Sequence, residues 1–163
     1  MTLISDEARA WIGREYPSRT IPVGRNDIVR FAIATGEDDP VHHDADAARA
    51  AGYRDVLAPP AFVSVLAAHS QLFVPRSRLR ADGLVEEQYP PLPVKRIMVG
   101  EISLRFGEDI CAGDEITVSK TLVGMTEREG RDGAPMVVID FERRYRNQDG
   151  ADVADERYAV VVR

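Results

Sequence analysis

The segment Ala58–Ala68 (APPAFVSVLAA) is apolar almost all the way round. Two prolines stand where a first helical turn tolerates their missing N–H. A helix without a polar face is a buried helix, so the rest of the chain has to cover it. The covering material follows in sequence. Residues Met98–Phe106, Asp114–Val123, Pro135–Asn147 and Ala151–Val162 are rich in Val, Ile, Tyr and Phe, and several alternate, as in Ile116-Thr117-Val118-Ser119. Such alternation is the period of a strand with one covered face. Asn147-Gln148-Asp149-Gly150 predicts a hairpin turn between the last two strands, and Arg131-Asp132-Gly133 the turn before them. One apolar helix followed by four long antiparallel strands predicts an α+β domain with the helix across the sheet.

The preceding half reads as helical. Asn26 or Asp27 is placed to cap a helix whose inward positions are Ile28, Phe31, Ala32 and Thr35, with Gly36 ending it. Asp44 is placed to cap a short Ala-rich helix running to Ala51 and closed by Gly52. Residues 75–93, with Tyr89-Pro90-Pro91-Leu92-Pro93, form a polar, proline-rich connection of the length that more often carries function than compact structure.

The 163 residues suit one domain, taken as 1–163. A formal net charge of −6 argues against nucleic acid as the main partner. No apolar run is long enough to span a bilayer, and the N-terminal MTLISDEARAWIGREY lacks the basic and apolar regions of a signal peptide. The single cysteine, Cys111, fits a reducing compartment and reads as a small buried residue. These features predict a cytoplasmic protein. No glycine-rich phosphate loop or dinucleotide fingerprint is present, so no cofactor is expected. Neighbouring residues of one turn do not make a set of facing ligands, so no metal is expected either.

The chemistry-bearing stretch is Thr35-Gly36-Glu37-Asp38-Asp39-Pro40-Val41-His42-His43-Asp44. Ahead of Asp44 it gathers three carboxylates, a proline and two histidines between two helices. Pro40 fixes its own φ and biases Asp39 away from the helical region, which makes a defined turn. A carboxylate and an imidazole that converge there hold one water between them: one group takes a proton from it, the other gives a proton to carbon. The same residues also fit a plainer reading, with His42 an ordinary turn histidine, His43 facing solvent and Asp44 only a cap. His69 falls at the end of the apolar helix, where a cation is favourable.

The Gly36…Pro40-x-His42-x-Asp44 spacing, the Ala-rich helix and the second motif opening an apolar helix resemble the MaoC-like, (R)-specific enoyl-thioester hydratases. Gly52-Tyr53-Arg54-Asp55-Val56-Leu57-Ala58-Pro59-Pro60-Ala61-Phe62, Ala112-Gly113-Asp114 and Arg146-Asn147-Gln148-Asp149-Gly150 resemble the N-terminal or partner type of such domains. The resemblance covers most of the chain. It implies a hot-dog fold, an antiparallel sheet wrapped around a buried central helix, and a hydratase or dehydratase of 2-enoyl and 3-hydroxyacyl thioesters. By position, Glu37 and His42 fall on the catalytic pair and Asp39 on the orienting amide. Pro60 and Ala61 fall where a backbone N–H holds the thioester oxygen.

Three positions depart from that pattern. Glu37 is one methylene longer than the family's Asp. Asp39 replaces an amide that donates with a carboxylate that, ionised, only accepts. Pro59-Pro60 stand for His-Gly, and Pro60 has no N–H; loss of one such donor costs roughly 10²–10³ in rate, unless Ala61 substitutes. The implied ligand is an acyl thioester of coenzyme A or of acyl carrier protein. Arg76, Arg78, Arg80, Lys95 and Arg96 form a basic group suited to the phosphates or acidic face of such a handle, or simply a solvated loop. The implied assembly is a homodimer, or a heterodimer with a second MaoC-like chain. The alternative is a non-catalytic thioester-binding or scaffold domain.

Overall fold

The computed structural model describes residues 2–72, 75–79, 85, 88–93 and 96–163. Of the basic group, Arg80 and Lys95 lie outside the described residues. Arg76 and Arg78 sit in an exposed 3₁₀ turn, and exposed Arg96 exchanges backbone hydrogen bonds with Arg163.

Among the described residues, four α-helices and five strands run in the order α1 (Asp6–Arg9), β1 (Glu15–Pro22), α2 (Arg25–Thr35), α3 (Ala45–Ala50), α4 (Val63–Leu72), β2 (Ile97–Phe106), β3 (Glu115–Glu129), β4 (Pro135–Arg146) and β5 (Asp152–Val162). The strands form one antiparallel sheet in the order β1-β3-β4-β5-β2. β3, β4 and β5 are joined by hairpins, closed at Gly133 (φ 74°) and Gly150 (φ 79°), conformations that glycine adopts without strain. β2 is the last strand of the sheet and has an unpaired edge.

α4 lies against the sheet, as the apolar segment requires. Phe62, Val63 and Leu66 are buried with Ile21, Val118 and Tyr145 of the strands and Ile28 of α2. Burial is one-sided in the single chain. Pro60, Ala61, Ser64 and Ala68 remain exposed, so the side turned away from the sheet is lined by small residues. A second apolar cluster, built from Leu122, Val137, Ile139, Phe141, Val160 and Val162, fills the other end of the same face beneath Ile4 and Ala8.

Three elements differ from the sequence reading. The first half is not all helical, because Glu15–Pro22 forms the edge strand β1. Its register shifts between Tyr16 and Arg19, which places Pro17 in the irregularity, where a missing N–H costs no ladder bond. The cap of α2 is Gly24 rather than Asn26 or Asp27, with extended backbone (φ −81°, ψ 138°) and its carbonyl taking the first helical N–H bonds. Asp27 then lies in the first turn, where the helix dipole favours an acid. β3 runs past Val123 to Glu129: Gly124 sits at a register shift opposite β4, not at a strand end.

Candidate active site

The site is built on the turn between α2 and α3. α2 stops at Gly36 (φ 74°), whose left-handed conformation turns the chain out of the helix. The Asp39 carboxylate accepts the Val41 N–H at 3.0 Å and thereby caps a 3₁₀ turn over Pro40–His42. Asp44 caps α3 by accepting from the N–H groups of Asp46 and Ala47 at 3.0 and 2.8 Å. Both ends of the turn are therefore fixed by carboxylates that bond their own backbone.

This turn is laced to the strand-like piece that leads into α4. Leu57 N–H donates to the Val41 carbonyl at 2.9 Å, and the His42 Nδ1 lies 2.8 Å from the Leu57 carbonyl. A carbonyl oxygen only accepts, so Nδ1 donates its proton there, and Nε2 has no partner among the described residues. His42 is 8% exposed. The ring is therefore buried and oriented by a single hydrogen bond to the backbone.

The Leu57 segment is anchored in turn. Ala58 N–H donates to Ile110 and Ala112 N–H to Val56, and Leu57 bridges Cys111. Beneath them Asp114, 1% exposed, accepts from Arg54 Nη2 at 2.9 Å, the Cys111 N–H at 2.8 Å and Gln148 Nε2 at 3.2 Å. These contacts tie together the three stretches whose residues resemble the hydratases. No spacing rule had singled out Arg54, Asp114 or Gln148 as a unit, since they are separated by up to 94 positions (148 minus 54). Asp55 holds the same loop from outside, receiving Arg25 at 2.8 Å and Arg49 at 3.1 Å, and the Arg25 guanidinium holds its carboxyl below the ordinary range.

The other expected site residues are placed as follows. Glu37, just past the C-cap of α2, is exposed, and its side chain has no hydrogen-bond partner among the described residues. His43 does not face open solvent: it is half-buried and its Nε2 bonds the Glu37 carbonyl, which pins the residue that carries that carboxylate. Pro60 opens a 3₁₀ turn over Pro60–Phe62 that runs into α4. The Ala61 N–H, the first donor after Pro60, has no acceptor among the described residues. The buried His42 ring and this N–H are thus joined by the short run Leu57–Ala61. Cys111 is buried and free of any disulfide. No group of three His, Cys, Asp or Glu able to hold a metal ion occurs among the described residues, and no helix among them is long and apolar enough to cross a membrane.

A central helix lying on a five-stranded antiparallel sheet, with the His42 turn packed beside the start of that helix, defines a hot-dog fold. The chain belongs to the FAS1-like, dehydratase domain region family, which matches residues 10–156. A UPF0336 protein of Streptomyces avermitilis is 30% identical over 156 residues, covering 95% of this chain and 94% of its own. Another, from Saccharopolyspora erythraea, is 33% identical over 135 residues, covering 82% and 78%. Among solved structures, the HadBC (3R-hydroxyacyl-ACP dehydratase) complex of Mycobacterium tuberculosis superposes with a TM-score of 0.71 at 23% identity, covering 98% of this chain and 99% of that one. The R-hydratase PhaJ1 of Pseudomonas aeruginosa gives 0.64 at 19%, covering 93% and 81%. At such identities the likeness to solved structures is one of fold.

Proposed function

We propose that the chain is a subunit of a hydro-lyase that interconverts 2-enoyl and 3-hydroxyacyl thioesters, with coenzyme A or a carrier-protein pantetheine as the handle. The observation that carries this reading is His42, buried and fixed through Nδ1 with Nε2 free, one short segment away from the unspent Ala61 N–H. A water held between Glu37 and His42 adds its oxygen to C3 of the enoyl group while Nε2 takes its proton. The electron pair of the double bond moves toward the thioester oxygen, where the Ala61 N–H stabilises the developing charge. The same proton then passes from Nε2 to C2, so the hydroxyl ends on C3, the other hydrogen of the water on C2, and the site is left as it began.

A second reading divides the work between two chains. Pro60 in place of a donor, and a Glu37 that faces solvent, favour a chain whose own centre is slow and whose main task is to bind the acyl group. The unpaired edge of β2 offers the contact: Met98, Val99, Ile102, Leu104 and Phe106 are exposed along it, and Val99 is 65% exposed. An apolar edge of this length invites a second hot-dog chain, either a copy or a relative with the unaltered catalytic pair. The HadBC and ChsH1–ChsH2 structures of M. tuberculosis are themselves complexes of two such chains.

One assay separates these readings. Hydration of crotonyl-CoA and longer enoyl-CoA is followed for the wild type and His42→Ala, each with and without a MaoC-like partner. Slow turnover by the chain alone, restored by the partner and insensitive to His42→Ala, supports the divided assembly. Turnover near ~10 s⁻¹ from the chain alone, abolished by His42→Ala, assigns the chemistry to this chain's own histidine. No turnover and no thioester binding in any combination leaves a scaffold.

A further inference from the structure

The sheet face that carries α4 is not apolar throughout. Residues directly opposite one another on antiparallel strands point to the same side. The pairs Tyr16↔Lys120, Lys120↔Arg143, Arg143↔Glu156 and Glu156↔Leu104 therefore place one row across all five strands. It lies between the Val118–Tyr145–Ala154 row, which belongs to the cluster under α4, and the Leu122–Phe141 pair of the second apolar cluster. A row of charge sits in the middle of the core.

Among the described residues its charges do not balance. Glu156 Oε2 accepts from Arg143 Nη1 at 2.5 Å and from the Tyr145 hydroxyl at 2.6 Å. Arg143 is 4% exposed, its guanidinium lies 4.6 Å over the Tyr158 ring, and its buried Nε has no hydrogen-bond partner among the described residues. Lys120, the cross-strand neighbour of Arg143, directs its amine at the Tyr16 ring, 3.9 Å from the centroid, and at Phe141, 5.0 Å away. No oxygen among the described residues accepts from that amine. Two cations thus share one carboxylate, which Arg143 and Tyr145 already occupy. Burial and the neighbouring Arg143 and Arg14 push the Lys120 amine down to about 7. An unmatched buried charge is costly enough that chains rarely keep one without a use.

We infer that this row is a subsite for a carboxylate at the far end of the acyl group, received by Lys120 Nζ and Arg143 Nε, so that the preferred thioesters are ω-carboxyacyl rather than plain fatty acyl. The geometry fits that class. Arg143 is two residues from Tyr145 on β4, a step of ~7 Å along the strand, and Tyr145 packs in the cluster of Phe62 and Leu66. An acyl chain whose thioester sits at Ala61 and whose tail runs beneath α4 meets this row next. One added carboxylate brings the row to neutrality and satisfies the buried Nε. The inference rests on the thioester-binding reading given above.

The test is calorimetric binding to the purified full-length chain in slightly acidic buffer. Succinyl-, glutaryl-, adipoyl- and suberoyl-CoA are compared with butyryl-, valeryl-, hexanoyl- and octanoyl-CoA. We expect at least one carboxylated member to bind ~10-fold or more tightly than its neutral counterpart, as for a hydrogen bond to a charged group. Lys120→Met should abolish that preference while leaving affinity for the neutral member unchanged, and Lys120→Gln serves if the methionine variant does not fold. If both series bind alike, or the preference survives these substitutions, the inference is overturned and the thioester reading stands. If neither series binds, the thioester reading falls, and the subsite with it.

Discussion

At the scale of single residues, backbone donors and acceptors decide more than side-chain type does. Asp39 matches the position of an orienting amide, yet its carboxylate closes the turn on Val41 instead. Pro60 gives the sharpest prediction. Pro60→Gly restores an N–H at the start of the turn that leads into α4, and the hydration rate of crotonyl-CoA should rise by roughly 10-fold or more if the thioester oxygen lies there. The same change frees the unfolded chain and should lower stability by ~1 kcal/mol in urea denaturation. A rate that stays level removes position 60 from the oxyanion site and leaves the Ala61 N–H as its donor. Asp114→Asn is the structural counterpart. Oδ1 accepts from Arg54 and Gln148, and Oδ2 from Arg54 and the Cys111 N–H, so an amide NH₂ meets a donor whichever way it turns. Stability should fall by roughly 1–3 kcal/mol, seen as a lower urea midpoint at unchanged slope.

At the scale of elements, period and punctuation made most of the fold legible. The four long strands, both hairpin turns, the Asp44 cap and the apolar helix follow from residue type alone, because local physics and tertiary fold agree there. β1 was not legible: Glu15–Pro22 has one fully buried residue, Ile21, and an interruption at Pro17-Ser18 that hides its alternation. The far half of β3 was hidden by Gly124, which reads as a strand end and acts as a bulge. β2 carries the prediction at this scale. Pairing through its edge should make the wild-type chain at least a dimer at micromolar concentration. Ile102→Lys, at a position 53% exposed in the single chain, should shift sedimentation toward the single chain without altering circular dichroism. A wild type that sediments as one chain across the whole range contradicts the edge-pairing reading.

At the scale of the whole molecule, the row across the sheet couples stability to pH. The Lys120 amine titrates near 7 in the fold, against a much higher value in an unfolded chain. Below 7 both states hold the proton, and the burial cost is present in full. Between about 7 and 10 the unfolded state binds a proton that the folded state has released, so this group's contribution raises stability as pH rises. Above that range the buried tyrosines reverse the trend. Tyr16 is pushed up to about 12, and Tyr145 and Tyr158 are raised further, so the unfolded chain loses those protons first. Thermal melts of the wild type should therefore gain several degrees from neutral to mildly alkaline pH, and Lys120→Met should flatten that rise. An unchanged slope in the variant would show that another group carries the effect.

What the sequence by itself determined is the part set by neighbours along the chain. An apolar helix must be covered, alternating strands must pair, Pro40 must make a turn, and Pro60 cannot donate. From these follow an α+β domain with the helix across the sheet, while the hot-dog arrangement and the candidate role of His42 came with the resemblance of its motifs to the hydratases. Only the tertiary structure decided which nitrogen of His42 is free, because that depends on the Leu57 carbonyl, fifteen positions away. It alone joined Arg54, Asp114 and Gln148, and it alone set Lys120, Arg143 and Glu156 in one row on the covered face. The reason is register. Strand period fixes which residues share a face of one strand, but the partner opposite each is fixed only when the strands are laid side by side.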